Sequence, residues 1–129
     1  MNLFIKGEKM AIELKITPEL FNSVAKSWAE RIERGKPSMK KNQIRNFYDK
    51  VLELYEKSQY SNNFEEEVLP FVKMLNSKVA YALNRSPKVA NEEFKKMMES
   101  CIEQVNTKKD LEVFKYFFEA VIGFYKGGK

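Results

Sequence analysis

Histidine is absent from the 129 residues, cysteine occurs once, at Cys101, and aspartate only at Asp49 and Asp110. Each shortage removes a chemistry. Without an imidazole, no Ser-His-Asp or Cys-His nucleophile can be assembled, because the base that works near neutral pH is missing. Neither histidine-based nor multi-cysteine zinc coordination can be built within one chain. A lone cysteine closes no intrachain disulfide, which is the pattern of a reducing, intracellular compartment. Long apolar runs are missing too, and none approaches the roughly 20 residues of a membrane span. The stretch from Met1 to Met10 has no signal-peptide apolar region. The expectation is a soluble, cytoplasmic chain with no membrane partner. Met10 offers a second start site that would make residues 1–9 an extension, and the sequence leaves both starts open.

Glycine is confined to Gly7, Gly35, Gly123, Gly127 and Gly128, leaving residues 36–122 with none. So long a stretch without the residue most needed for tight turns argues against a sheet of hairpins. What is present suits helices. The chain is 43% hydrophobic, 13% aromatic and 32% charged, enough apolar material for one core and too much for a disordered tail. The fold class expected is all-α, a bundle of about five helices forming one domain over residues 17–129. Residues 1–16 form a poorly structured N-terminal arm, whose Ile12, Leu14 and Ile16 alternate with period two but have no partner strand.

Thr17-Pro18-Glu19 opens the first helix with a capping hydroxyl, a first-turn proline and an acid favoured by the helix dipole. Leu20, Phe21, Val24, Trp28 and Ile32 form its apolar face, Trp28 being either core or a half-buried ring at a partner contact. Gly35 and Pro37 end it. The second helix runs from about Met39 to Lys57, with Ile44, Phe47, Tyr48, Val51, Leu54 and Tyr55 on one face. Asn63 and Glu66 have capping-box spacing before a third helix whose stripe is Phe64, Val68, Phe71, Val72, Leu75, Val79 and Leu83. Pro70 either kinks this helix or closes a short first piece at Leu69. The fourth helix, about Asn91 to Val105, carries Phe94, Met97, Met98, Cys101, Ile102 and Val105. Thr107 and Asp110 cap the fifth, about Lys108 to Lys126, which is apolar over more than one face from Val113 to Tyr125. That excess is either central core or a surface shared with a partner.

Charge is unevenly placed. The formal excess of +5 is matched by the segment Arg34 to Lys50 alone, where Arg34, Lys36, Lys40, Lys41, Arg45 and Lys50 face only Asp49. Lys41 and Arg45 are neighbours four apart on a helix. Such a cluster is either a solvated helix start or an electrostatic footprint for phosphates. On the third helix Lys78, Tyr81 and Arg85 line one stripe apart from the Leu75/Val79/Leu83 face. Two cations flanking a ring suit single-stranded RNA, with the ring free to stack on a base; the plainer alternative is a core-edge tyrosine between ordinary surface charges. Glu65-Glu66-Glu67 cannot converge on a metal ion, since consecutive helical residues point about 100° apart, and they suit a helix N-terminus instead. Cys101 lies on an apolar face and is expected to be a buried, inert thiol. No catalytic, metal or cofactor site is expected.

Three segments in series carry a family resemblance: Gln43-Ile44-Arg45-Asn46-Phe47-Tyr48, then Leu75 to Arg85, then Phe117 to Lys126. In order and spacing they resemble the small subunit of type III-A CRISPR effector (Csm) complexes over roughly residues 40–126. The resemblance implies an all-helical, non-enzymatic subunit present in several copies. These form an inner filament along the crRNA–target RNA duplex beside other subunits that do the cutting. The implied partners are crRNA and target RNA, the other effector subunits, and further copies of itself, including a homodimer by helix exchange when isolated. By motif position Arg45, Lys78, Tyr81 and Arg85 face RNA, and Lys41 joins them on charge grounds. Family members often have proline before that lysine and glycine before that arginine, where this chain has Ser77 and Asn84. The third helix is therefore expected to continue further here. The alternative reading is a helical protein-interaction module with no direct RNA contact.

Overall fold

Helix boundaries in this chain are set by a few polar and proline-bearing joints. The computed structural model describes residues 12–127, and all regular structure among them is helical. A π-helical turn, Leu20–Val24, runs into α1, Ala25–Arg34. It is followed by α2, Lys41–Ser58, a one-turn α3, Phe64–Glu67, and α4, Leu69–Asn84; α5, Glu92–Gln104, and α6, Lys108–Phe124, complete the bundle. This is the expected all-α bundle, with α1, α2, α4, α5 and α6 as its five substantial helices. Expectations for residues 1–11, including the two candidate starts, lie outside the described residues.

The capping signals act largely as the side-chain chemistry requires. Thr17 Oγ1 accepts a hydrogen bond from the Leu20 N–H at 3.2 Å. Asn63 Oδ1 accepts from Glu66 N–H at 3.2 Å. Thr107 and Asp110 form a reciprocal capping box, each side chain accepting from the other's N–H at 3.1 and 3.0 Å. The ambiguity at Pro70 resolves to a short first piece, which ends at Glu67 rather than Leu69. Val68 breaks the path at φ −124° and ψ −49°. Pro70 then sits in the first turn of α4, where its missing N–H costs no intrahelical bond.

The core forms where α6 packs against α1 and α2 while α4 packs on α5. Phe114, Phe117, Phe118, Val121 and Tyr125 are all buried in it, so the apolar excess of the last helix is internal core. Burying one such large side chain stabilises by about 1.5–3 kcal/mol. Phe118 meets the Tyr48 ring edge-on at 5.5 Å and Phe94 meets Phe47 at 5.0 Å. Trp28 is core, with the Arg31 guanidinium 4.0 Å above its ring. Arg31 in turn pairs with Glu93 at 2.7 Å. Burial raises the Glu93 pKa, but the Arg31 hydrogen bond and charge, with Lys96, outweigh it and hold the carboxyl below its ordinary range. Cys101 is fully buried and burial pushes its thiol pKa up, as an inert core thiol requires.

The N-terminal segment also packs. Ile12 is buried, and Gln104 of α5 holds its backbone, donating to Ile12 O at 2.7 Å and accepting from Leu14 N–H at 2.9 Å. One amide side chain thus supplies the donor and acceptor that a neighbouring strand would have offered, and Ile16 is left exposed.

A buried polar junction fixes the α1–α2 connection. Asn91 is fully buried; its Oδ1 caps α5 through Phe94 N–H at 2.9 Å, while its Nδ2 donates to Ile32 O at 3.0 Å and Pro37 O at 3.1 Å. Gly35 is extended, at φ −71° and ψ 161°. A Cβ there would lie 2.7 Å from Asn91 Nδ2, so glycine is needed for close approach rather than for an unusual backbone conformation. Tyr125 closes the same end of the bundle, its hydroxyl donating to Met39 O at 2.6 Å.

Candidate nucleic-acid interface

The side chains that α2 leaves outside the core divide into two groups. At about 100° per residue, Gln43, Asn46 and Lys50 share one stripe, whereas Lys41 and Arg45 project from another flank, about 100–180° away from its members. The outer stripe of α4 carries Lys78, Tyr81 and, at its C-cap, Arg85. Between the two stripes lies an open groove of about 550 Å³, lined by Gln43, Asn46 and Lys50 from α2 and by Lys78, Tyr81 and Arg85 from α4. Phe47, Ala82 and Val89 form its apolar floor.

Local hydrogen bonding explains why the groove holds this shape. Helix α4 continues unbroken through Ser77, whose Oγ donates back to Met74 O at 3.0 Å, and through Asn84. The helix thus passes Ser77 without a break and ends at Asn84. Arg85 leaves the helix extended, at φ −81° and ψ 169°, with its N–H on Tyr81 O at 3.0 Å. The chain then folds back so that Val89 N–H meets Ala82 O at 3.0 Å, which brings Val89 under the groove. On the other wall Gln43 Oε1 accepts from Lys40 N–H at 2.8 Å. That bond caps α2 and leaves the Gln43 amide NH₂ and the second lone pair of Oε1 for a ligand.

The electrostatics are one-sided. Among the described residues, the lining contains three cations, Lys50, Lys78 and Arg85, and no carboxylate. Elsewhere the basic side chains are often paired: Lys95 with Glu99 at 3.7 Å, Lys109 with Glu112 at 3.2 Å, Lys115 with Glu119 at 3.7 Å. Lys73 is used as a helix cap, donating to the α5 carbonyl of Ile102 at 2.7 Å. Among the described residues, no carboxylate lies within salt-bridge distance of Lys41, Arg45, Lys50, Lys78 or Arg85.

The five residues singled out from sequence are all exposed. Lys78, Tyr81 and Arg85 come together in the groove, and Lys41 and Arg45 do not join them. Lys41 instead lies beside the chain's C-terminal end, its Cβ within 3.9 Å of a Cβ built on Gly127. Sequence reasoning passed over Gln43 and Asn46 as lining residues and counted Lys50 only as charge, although the i, i+3, i+7 spacing of the three was readable. It also put Phe71 in the core stripe. Phe71 is 43% exposed, because it falls about 100° from Val72 and lies on the Met74/Lys78/Tyr81 line. The Lys57 ammonium covers its ring at 5.0 Å.

Among the described residues, no group of three or more Asp, Glu or Cys side chains is arranged to hold a metal ion. No helix among them is long and apolar enough to cross a membrane. A family model described as Csm2 Type III-A matches residues 15–128 of the chain. No curated protein and no solved structure matches it.

Proposed function

The chain belongs to the Csm2 Type III-A family, the small subunit of type III-A CRISPR effector complexes, and from that membership we propose that it is a non-catalytic, RNA-contacting structural subunit. Copies of it line the path of the crRNA–target RNA duplex in the cytoplasm, beside the subunits that carry the guide and those that cut. The observation that carries the RNA assignment is the α2/α4 groove, where Lys50, Lys78 and Arg85 flank an exposed tyrosine with no carboxylate among the described lining residues. Unpaired cations on one concave surface attract phosphates by releasing the counterions condensed on RNA, with little dependence on sequence. Lys41 and Arg45 add a second basic surface within reach of the same polymer. The non-catalytic assignment rests on the family membership and is consistent with a chain without histidine in which, among the described residues, no three acidic side chains are gathered to hold a metal ion.

The test is protein–RNA crosslinking on the effector complex assembled with crRNA and target RNA. Crosslinks on this subunit should fall on peptides containing Lys50 and Lys78 to Arg85. A complex in which the subunit is present but carries no RNA crosslink would instead favour a helical protein-interaction module. RNA cleavage by the purified subunit, abolished by one carboxylate change, would overturn the non-catalytic assignment.

A further inference from the structure

Phosphate attraction alone does not account for the composition of the groove. Tyr81 is 69% exposed beside two cations of its own helix. Of the other exposed rings, Phe71 on the same helix is covered by the Lys57 ammonium at 5.0 Å, and Tyr116 by the Lys115 ammonium at 3.9 Å and edge-on by Phe21 at 6.1 Å; Tyr60, after the end of α2, is as bare as Tyr81 but lies outside the groove lining. Among the described residues, no cation or ring covers the Tyr81 face in this way. Below it the floor is apolar, formed by Phe47, Ala82 and Val89, and the opposite wall carries the amides of Gln43 and Asn46. A lysine-only surface would suffice for a duplex, which turns its bases inward and presents phosphates and sugars. A bare ring, an apolar floor and amide hydrogen-bonding groups inside a ring of cations match one unstacked nucleotide. The ring stacks on the base, the amides meet its polar edge, and Lys50, Lys78 and Arg85 hold the flanking phosphates. The groove volume of about 550 Å³ falls within the roughly 300–1,000 Å³ of small-ligand sites.

We propose that the α2/α4 groove is a receptor for a single unpaired RNA base, with Tyr81 as its stacking platform. The inference rests on the RNA-contact reading above and deepens it. The groove selects RNA containing an unstacked nucleotide over continuous duplex. Selection among the four bases is weak, because the Gln43 and Asn46 amides each carry both donor and acceptor capacity and can meet the polar edge of any base.

The experiment uses the full-length chain and three RNAs: a single strand, its perfect duplex, and that duplex with one bulged 2-aminopurine. Fluorescence anisotropy gives affinities, and 2-aminopurine emission reports stacking. Wild type should bind the single strand and the bulged duplex more tightly than the perfect duplex and should quench the bulged base. At about 1–3 kcal/mol per stacked base, Tyr81→Ala should weaken those two interactions roughly 5- to 150-fold and abolish the quench. Duplex binding should fall by much less, and its salt slope, set by Lys50, Lys78 and Arg85, should stay the same. Tyr81→Phe should behave as wild type and Tyr81→Leu as Tyr81→Ala, separating π-stacking from apolar contact; thermal melts of all three should match wild type, since the side chain is exposed. Equal losses on all three RNAs, or no loss with Tyr81→Ala while salt-dependent binding persists, would overturn the base receptor alone. Absence of salt-dependent binding to any of the RNAs would overturn the RNA-contact reading and this inference together.

Discussion

Two basic surfaces lie on different flanks of α2, and they are made of different things. The groove side combines Lys50, Lys78 and Arg85 with a ring, two amides and an apolar floor. The other flank, Lys41 and Arg45, is exposed charge, and Lys36 and Lys40 in the preceding loop are exposed as well. Charge alone gives attraction without shape, falling with salt over a Debye length of about 8 Å at physiological ionic strength. The groove adds a concave surface whose apolar and hydrogen-bonding parts discriminate between nucleotide conformations. Both flanks draw on the same seventeen-residue basic segment, so the density of cations in sequence does not distinguish them. Their supports also differ in part: Lys78 and Tyr81 stand on the continuous helix α4, whereas Lys36 and Lys40, just before Lys41, sit in the loop tied down by Asn91.

The largest expected effect removes that tie. Asn91→Ala deletes a helix cap and leaves the carbonyls of Ile32 and Pro37 without their donor. A loss of about 2–4 kcal/mol in unfolding free energy is expected by denaturant titration. Hydrogen exchange should rise first in residues 35–40 while the Lys78–Arg85 amides keep their protection; a uniform rise would erase the proposed difference in support. Next comes the groove itself. Replacing Lys50, Lys78 and Arg85 together by alanine should lower the slope of log affinity against log salt by up to about three. At up to about 1 kcal/mol per exposed contact, RNA affinity should drop on the order of a hundredfold. The Lys41→Ala, Arg45→Ala double variant should cost at most about thirtyfold and lower the slope by at most about two. If this pair loses more affinity than the groove triple, the ranking of the two surfaces is reversed.

The smallest effect concerns the end of the bundle beside Lys41. Burial, with a contribution from Glu33, pushes the Tyr125 hydroxyl up to about 12, above its ordinary pKa of about 10 in the unfolded chain. The folded state holds this proton after the unfolded state has released it, so the stabilisation is complete below pH 10 and declines as pH rises through 12. Tyr48 shifts in the same direction, through burial and its hydrogen bond to Glu119. Tyr125→Phe should therefore flatten the loss of stability above pH 10, at the expense of about 1 kcal/mol at neutral pH for the bond to Met39 O. An unchanged alkaline slope would remove Tyr125 as its source.

Helix positions were legible because their causes are local. The Thr17, Asn63 and Thr107 caps, the 3.6-residue apolar spacing and the proline joints each act within a few residues. The Lys78/Tyr81/Arg85 stripe was legible for the same reason. Phe71 was misplaced where two stripes adjoin on one helix, and periodicity does not say which of them the next helix covers. Lys115 shows the same limit. It lies at 7% exposure among the core positions of α6, its ammonium held over Tyr55 and Tyr116 and paired with Glu119. No pattern within α6 announces partners that come partly from α2.

By itself, then, the sequence determined the helices, their order, the exclusion of histidine chemistry and the local excess of +5, all of which follow from composition and short-range spacing. Tertiary structure decided which cations share a surface. Lys50 joins Lys78 and Arg85 across 28 and 35 residues of chain, while Arg45, five residues before Lys50, faces away. Gly35 makes the same point in the core. Its place after a helix suggested a terminator, yet its backbone is ordinary, and the Asn91 amide, contributed from 56 residues away, occupies the space a side chain would need. Short-range rules specify each helix and its faces; only packing determines which faces meet.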